Sequence, residues 1–454
     1  KQTAKLAEAA GADAIHVTAY GDATSAPAFT EGTLIHEESG LIDYAAGIKG
    51  IVSVPVIAVG RIEPETADGL IRDGKADLVS MGRKMLADPA IAKKLAEGRP
   101  EDVRPCIYCY TCVAQPFFDR RVRCAVNPVT AHEEDLAERE RTPAPHRQKV
   151  VIAGGGTAGL EAARVAAQRG HDVTIFEKSE QLGGTLRFAA LVYEPNERLL
   201  RWFEQQVHAL GVTVHLGQAL TPERAKELGA AVGIVATGAG RERPGFEGAD
   251  ADHVFDGDDL RALLTGDGSE EAAQKLSGFG RIAVKAGRAI GLTKDPATLR
   301  TLSKRYMPVG SQVVVVGGGL VGTELAEFLA ERGRDVTVLE EGAVLAGEMA
   351  HPRRWRVLHD LREEGVTLVK GAEVVRVDGK AVHYRTEGPD GEAEMHSVEA
   401  DSVVLATGLV ANPVLADGLR AAGIDPVVIG DCTGVGYIEG AIRDGFHAAI
   451  AIGE

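Results

Sequence analysis

One pattern occurs twice in this chain at a fixed shift: strand, glycine-rich turn, helix, strand, terminal acid. The first copy reads as a strand from Gln148, turns through Gly154-Gly-Gly156-Thr-Ala-Gly159, continues as a helix over 160–169 and closes with the strand Asp172–Glu177. The second reads Ser311–Val316, Gly317-Gly-Gly319-Leu-Val-Gly322, a helix to Arg332 and the strand Asp335–Glu340. The leading glycines, 154 and 317, and the closing acids, 177 and 340, are each 163 residues apart. Downstream, Ala236-Thr-Gly238 recurs as Ala406-Thr-Gly408. Such a duplication predicts two Rossmann-like folds in tandem. In each copy the first glycine makes the turn, the second admits a pyrophosphate, and the third lets helix and strand pack closely. The helix N-terminus then faces the phosphates, and the acid takes ribose hydroxyls.

A second feature sits ahead of the duplication. Cys106, Cys109, Cys112 and Cys124 follow the spacing C-x2-C-x2-C-x11-C, and Cys432 is the only other cysteine. Four clustered thiols suit an iron–sulfur cluster or a zinc site. Spacing alone does not separate these, although three cysteines in one short loop with a fourth downstream favour a cubane 4Fe–4S cluster. A disulfide framework does not fit a chain of 454 residues with no secretory signature.

Residues 1–100 alternate strand and helix signals. Strands are expected over 14–20, 54–60 and 76–82, with a helix over 64–73 between the last two. Short β/α alternation implies a parallel sheet. The last two strands end in Gly60-Arg61 and Gly82-Arg83, pairs that suit phosphate because glycine admits the anion to the backbone and arginine offers a charged fork. Three units are too few for a barrel, which takes about 250 residues. This part is therefore read as the end of a longer barrel, and the chain as the C-terminal part of a longer enzyme. His16, inside the first strand, reads as a core histidine.

Taken together, the cysteine spacing with Asn127-Pro128 after it, the "AVGRI" and "SMGRKMLADP" strand ends, both glycine fingerprints and Gly430-Asp431 resemble the trimethylamine dehydrogenase, 2,4-dienoyl-CoA reductase and 2-enoate reductase group of the old yellow enzyme superfamily. The resemblance covers essentially the whole chain. It implies α/β architecture: the last three β/α units of a (β/α)8 barrel, a cluster-binding loop and two nucleotide folds of glutathione-reductase type. It implies FMN on Gly60, Arg61, Gly82 and Arg83, with the cluster on the four cysteines. FAD falls to Gly154, Gly156, Gly159, Glu177, Gly184, Gly430 and Asp431, and the nicotinamide nucleotide to Gly317, Gly319, Gly322 and Glu340. The expected division is barrel 1–105, cluster segment 106–130, linker 131–147, FAD domain 148–250 with 409–454, and inserted NAD(P)H domain 251–408.

The family's loop after the first strand carries substrate-contacting or proton-donating groups. Here that loop has no histidine, which leaves Tyr20 and Asp22 as candidates. The activity implied is reduction of an activated C=C bond, with electrons passing from NAD(P)H through FAD, cluster and FMN. The alternatives are an oxidative N-demethylase feeding an external electron carrier, and an electron-transfer module without its own catalytic barrel half. The intact second fingerprint favours a working nicotinamide site. Glu340 with Glu341 beside it favours NADH over NADPH, since an acid there repels a 2′-phosphate. A net charge of −16 argues against nucleic acid, and no apolar run reaches the length of a membrane span. A cytoplasmic location, a small-molecule substrate and a possible homo-oligomer complete the expectations. Residues 285–305 carry no readable pattern.

Overall fold

The computed structural model describes residues 1–18, 38–241, 244–265, 295–307 and 309–453. Three parallel strands open the chain: Ile15–Val17, Val56–Val59 and Leu78–Ser80, with the second in the middle. Val56 and Ala58 face a small core, while the alternate residues of that strand are half-buried. The helix Ile42–Lys49, which the sequence reading did not expect, covers this core with Ile42 and Ala45. His16 is exposed, not a core residue, because the strand turns Ile15 and Val17 inward and His16 the other way. Among the described residues the first and third strands pair with nothing further, so both edges of this sheet are open.

The two duplicated folds share one strand order. In the first sheet Thr213–Leu216, Asp172–Glu177, Lys149–Ala153, Val232–Val235 and Pro426–Val428 lie side by side, all parallel. In the second the order is Thr367–Lys370, Asp335–Glu340, Gln312–Val316, Ser402–Leu405 and Val254–Phe255. The fifth strand comes from the far end of the chain in one fold and from just ahead of the duplicate in the other. In both, the chain direction across the sheet reverses at the strand that carries the glycine turn. Ligands of open α/β sheets bind at that point. The meander expected over 374–399 is present as Glu373–Asp378, Ala381–Glu387 and Ala393–Glu399. A short antiparallel pair, Gly240–Arg241 with Leu409–Val410, ties the two crossings between folds together.

The core of the first fold lies under the helix Thr157–Gln168, packed by the helices Pro195–Ala209 and Tyr437–Ile450. Leu160, Phe203 and Phe446 are fully buried, each contributing roughly 1.5–3 kcal/mol relative to an exposed position. Gly445 allows the close approach of the last helix, because a Cβ there would overlap the Ala158 carbonyl.

The segment 131–147, expected as a linker with a solvated acidic face, instead carries the helix Glu133–Arg141. Glu140 turns inward and pairs with Arg164 at 2.7 Å. Arg164 holds the completely buried Glu161 at 2.8 Å, and Arg104 reaches the same carboxylate at 3.4 Å. Burial alone would raise the Glu161 carboxyl, but Arg104 and Arg164 more than offset it and hold the group below its ordinary value. This network fastens the segment leading into the cysteines to the first glycine-turn helix. The unread 285–305 region resolves in part: Pro296–Ser303 is a helix capped by Asp295, whose carboxylate accepts from Thr298 N at 2.9 Å, while 266–294 lie outside the described residues.

Candidate functional site

The cysteine loop is shaped by its tyrosines. Tyr108 and Tyr110 both take left-handed backbone, φ 50° and 66°. The turns so made bring the thiols on either side of them to a common face. Both rings are buried, and the Tyr108 hydroxyl donates to Glu63 at 2.6 Å. Ile107, Val126 and Val129 pack into the core of the first nucleotide fold. Asn127 holds the far end of the loop: its side-chain amide donates to Leu86 O at 2.9 Å, and its oxygen accepts from Val129 N at 3.2 Å. These contacts anchor both ends of the loop.

Cys106, Cys109, Cys112 and Cys124 all line one small cavity, together with Arg83 and Val126. Burial is the main influence on three of the thiols. It pushes Cys112 up to about 11 and Cys124 to about 12, and it also raises Cys106. Among the described residues no three His, Cys, Asp or Glu side chains are grouped for a single metal ion. All five cysteines are free thiols.

The two Gly-Arg pairs of the barrel piece meet at this loop. Gly60 and Arg61 have φ 118° and 48°, and a Cβ on Gly60 would press on Leu41 at 3.1 Å. The Arg61 guanidinium lies 4.4 Å from the Tyr108 ring centre, and Arg83 lies 5.0 Å from the Tyr108 centre and 4.8 Å from that of Tyr110. Gly82 opens the short helix Gly82–Ala87 beside them. Nη1 of Arg83 is buried and makes no hydrogen bond. A buried guanidinium N–H without an acceptor is costly, and an anion at the strand ends would satisfy it. Arg83→Ala in the FMN-bound enzyme is therefore expected to lower FMN occupancy several-fold and to spare FAD. Flavin analysis after denaturation checks this, and equal loss of both flavins would refute it.

The glycine turns do what the motif requires. Gly154 and Gly317 have φ 102° and 104°. A Cβ on Gly159 would overlap the Gly154 carbonyl, and one on Gly322 the Gly317 carbonyl. A Cβ on Gly156 would meet nothing, which leaves the approach to its backbone open. Gly184, at φ 51°, lies against Gly156. Glu177 accepts from Gly155 N at 2.8 Å and Ser179 N at 2.9 Å, while Glu340 accepts from Gly318 N at 2.6 Å and Gly342 N at 2.7 Å. Each carboxylate braces its own turn and keeps lone pairs for a ribose. The first carboxylate is buried and the second half-exposed.

At the C-terminus Gly430, φ 64°, passes so near Ala158 that a Cβ would sit 2.8 Å from that residue's own. Asp431 therefore stands beside the start of the first glycine-turn helix and accepts from Gly436 N at 3.0 Å. The final helix begins at Tyr437. Its Glu439 pairs with Arg123, next to Cys124, at 2.9 Å.

Several residues the sequence reading passed over join these parts. The Tyr193 hydroxyl donates to Tyr108 O at 3.3 Å. Arg353 lies 4.2 Å from the Tyr193 ring centre and pairs with Glu324 on the second glycine-turn helix at 2.9 Å. Lys370 stands in register with Glu340 on the adjacent strand. Tyr20 and Asp22 lie outside the described residues.

A duplicated dinucleotide fold behind a four-cysteine loop and a parallel β/α piece defines a class, the pyridine-nucleotide- and flavin-linked oxidoreductases. The chain belongs to the pyridine nucleotide-disulphide oxidoreductase family, which matches residues 148–426. Residues 1–102 match the NADH:flavin oxidoreductase / NADH oxidase family. With both in this order, the old yellow enzyme resemblance drawn from the motifs holds. The chain is 35% identical to an NADH oxidase of Thermoanaerobacter brockii over 99% of its own length and 63% of that protein's. It is 31% identical to a cinnamate reductase of Clostridium sporogenes over 99% of its own length and 60% of that protein's. A solved 2-naphthoyl-CoA reductase complex superposes with a TM-score of 0.82 at 27% identity, covering 99% of this chain and 62% of the other. The chain thus spans less than two thirds of each of these proteins.

Proposed function

We propose that the complete enzyme takes electrons from NADH at the second nucleotide fold and delivers them, by way of FAD, a 4Fe–4S cluster and FMN, to an activated C=C bond. The observation that carries this reading is the cysteine cavity. Its four thiols share one space with Arg83. Three of them in one short loop with the fourth downstream suit a cubane better than zinc. When bound, such groups supply two-electron chemistry at the flavins and one-electron transfer between them.

The chain's own residues fix where this happens. The helix starts at Thr157 and Leu320 turn backbone N–H groups toward the two pyrophosphates. Glu177 and Glu340 receive ribose hydroxyls, and Asp431 the ribityl chain. The start of the last helix would offer its positive end to the bound flavin. Arg61 and Arg83 would hold the FMN phosphate beside the cysteine loop. Tyr20 and Asp22 remain the proposed proton donors. The similarity to proteins named for reducing cinnamate and 2-naphthoyl-CoA supports an unsaturated acid or thioester as substrate. No described helix is long and apolar enough to cross a membrane. A cytoplasmic location is proposed on the clustered cysteines, which suit a reducing compartment.

The test is stopped-flow reduction of FAD by NADH and NADPH at limiting concentration. Glu340 and Glu341 beside a 2′-phosphate cost on the order of 1–3 kcal/mol, or roughly ten- to a hundredfold in preference for NADH. Lys370, on the strand next to Glu340, places this at the lower end. Faster reduction by NADPH would overturn the nucleotide assignment. No reduction by either would move the case to the demethylase direction, in which an external carrier drains the cluster.

A further inference from the structure

The duplicate folds are alike enough for each to serve as a control for the other. Gly183 N donates to Gly155 O at 2.7 Å, and Ala346 N donates to Gly318 O at 2.7 Å. Leu182 covers Gly155 as Leu345 covers Gly318. These pairs keep the 163-residue shift of the fingerprints, so the loops after the two closing acids are counterparts. Two residues past Gly183 and Ala346 the copies part: Thr185 stands in the first fold and Glu348 in the second. Thr185 begins the helix Thr185–Val192. Glu348 stays in a turn and folds back over the glycines. Its Oε2 accepts from Leu320 N at 3.1 Å, and its two carboxylate oxygens lie 3.3 and 3.4 Å from where a Cβ on Gly319 would be.

Leu320 N is one of the unpaired donors of the helix start, and Gly319 is the glycine that admits a pyrophosphate. A carboxylate therefore occupies the phosphate position of the second fold, while its counterpart in the first is neutral. We infer that Glu348 is a built-in competitor for the nicotinamide nucleotide, displaced each time the nucleotide binds and returning when it leaves. This rests on the reading of the second fold as the nicotinamide site.

The placement suits such a role. Glu348 is exposed, so it is free to swing out, and no ion pair among the described residues holds it. Its charge also reaches the flavin side: burial first, then Glu348 and Asp431, push the Tyr437 phenol up to about 12. The device separates two uses of one fold. FAD must stay through many turnovers, whereas the nicotinamide nucleotide must exchange in each. A competitor that has to be expelled lowers affinity and hastens release.

The experiment is calorimetric titration of the FAD-loaded chain and its E348Q and E348A variants with ADP-ribose and with NADH under anaerobic conditions, with flavin content as the check on folding. Removing the like charge from beside two phosphates should tighten both probes by about tenfold. Stopped-flow displacement should show nucleotide release slowed to a similar degree, with FAD content unchanged. Equal or weaker binding by the variants, with the unaltered chain binding normally, would overturn the competitor role and leave the nicotinamide assignment standing. Failure of all three proteins to bind either probe while retaining FAD would overturn the assignment itself, and this inference with it.

Discussion

Gly159→Ala is expected to yield protein with little or no FAD, and Gly322→Ala protein that keeps FAD but is no longer reduced by NADH. In both folds the cause is the same contact. A Cβ on the third fingerprint glycine falls on the carbonyl of the first, and behind it stands the side chain of Ala236 or Ala406 at 3.4 and 3.3 Å. The obstructing atom is backbone in a turn already committed to φ above 100°, so it cannot rotate away as a side chain would. The helix must lift from the strand, and the N–H groups aimed at the pyrophosphate lift with it. Losing two or three such charge-assisted bonds costs about 3 kcal/mol, roughly a hundredfold in affinity. The measurements are FAD per chain by absorbance and the dissociation constant for NADH. Near-normal FAD in Gly159→Ala, or unchanged reduction in Gly322→Ala, would show that the duplicated turns are not the dinucleotide sites.

This pair of variants rests on the part of the molecule that a linear reading recovers well. A glycine fingerprint is local: turn, approach and packing are specified within a few residues, and repetition at one shift doubles the signal. The strands Asp172–Glu177 and Asp335–Glu340 keep the expected bounds for the same reason. The four cysteines were legible because their spacing is short. What escaped depends on partners far along the chain. Glu140 reads as a solvated acid until Arg164 is seen across from it. Tyr108 carries no signal in the sequence, and its role shows only where Glu63 and two arginines converge on it. Lys370 meets Glu340 only across a sheet, and Glu348 meets Leu320 only because a loop folds back. His16 went the other way: alternation in a three-residue strand is too short to say which face a core will cover.

Replacing Cys109 by Ala, or Cys124 by Ser, is expected to separate the two halves of the electron path. NADH should still reduce FAD at its usual rate, because the second fingerprint and the proposed FAD site lie on other elements. Transfer onward to FMN and substrate should fall by roughly a thousandfold or more, about 4 kcal/mol in barrier. The loop itself should survive. Ile107, Tyr108 and Tyr110 are buried, Tyr108 is tied to Glu63, and Asn127 pins the far end to Leu86. None of these contacts passes through sulfur, so the variant loses a ligand without losing its fold. Arg104, Glu161 and Arg164 hold the approach to the loop independently. The parent protein, purified anaerobically, should carry about four irons with labile sulfide per chain, and the variants far less. Stoichiometric zinc without sulfide in the parent, or a Cys109→Ala enzyme that still turns over substrate at the parental rate, would remove the cluster from the path.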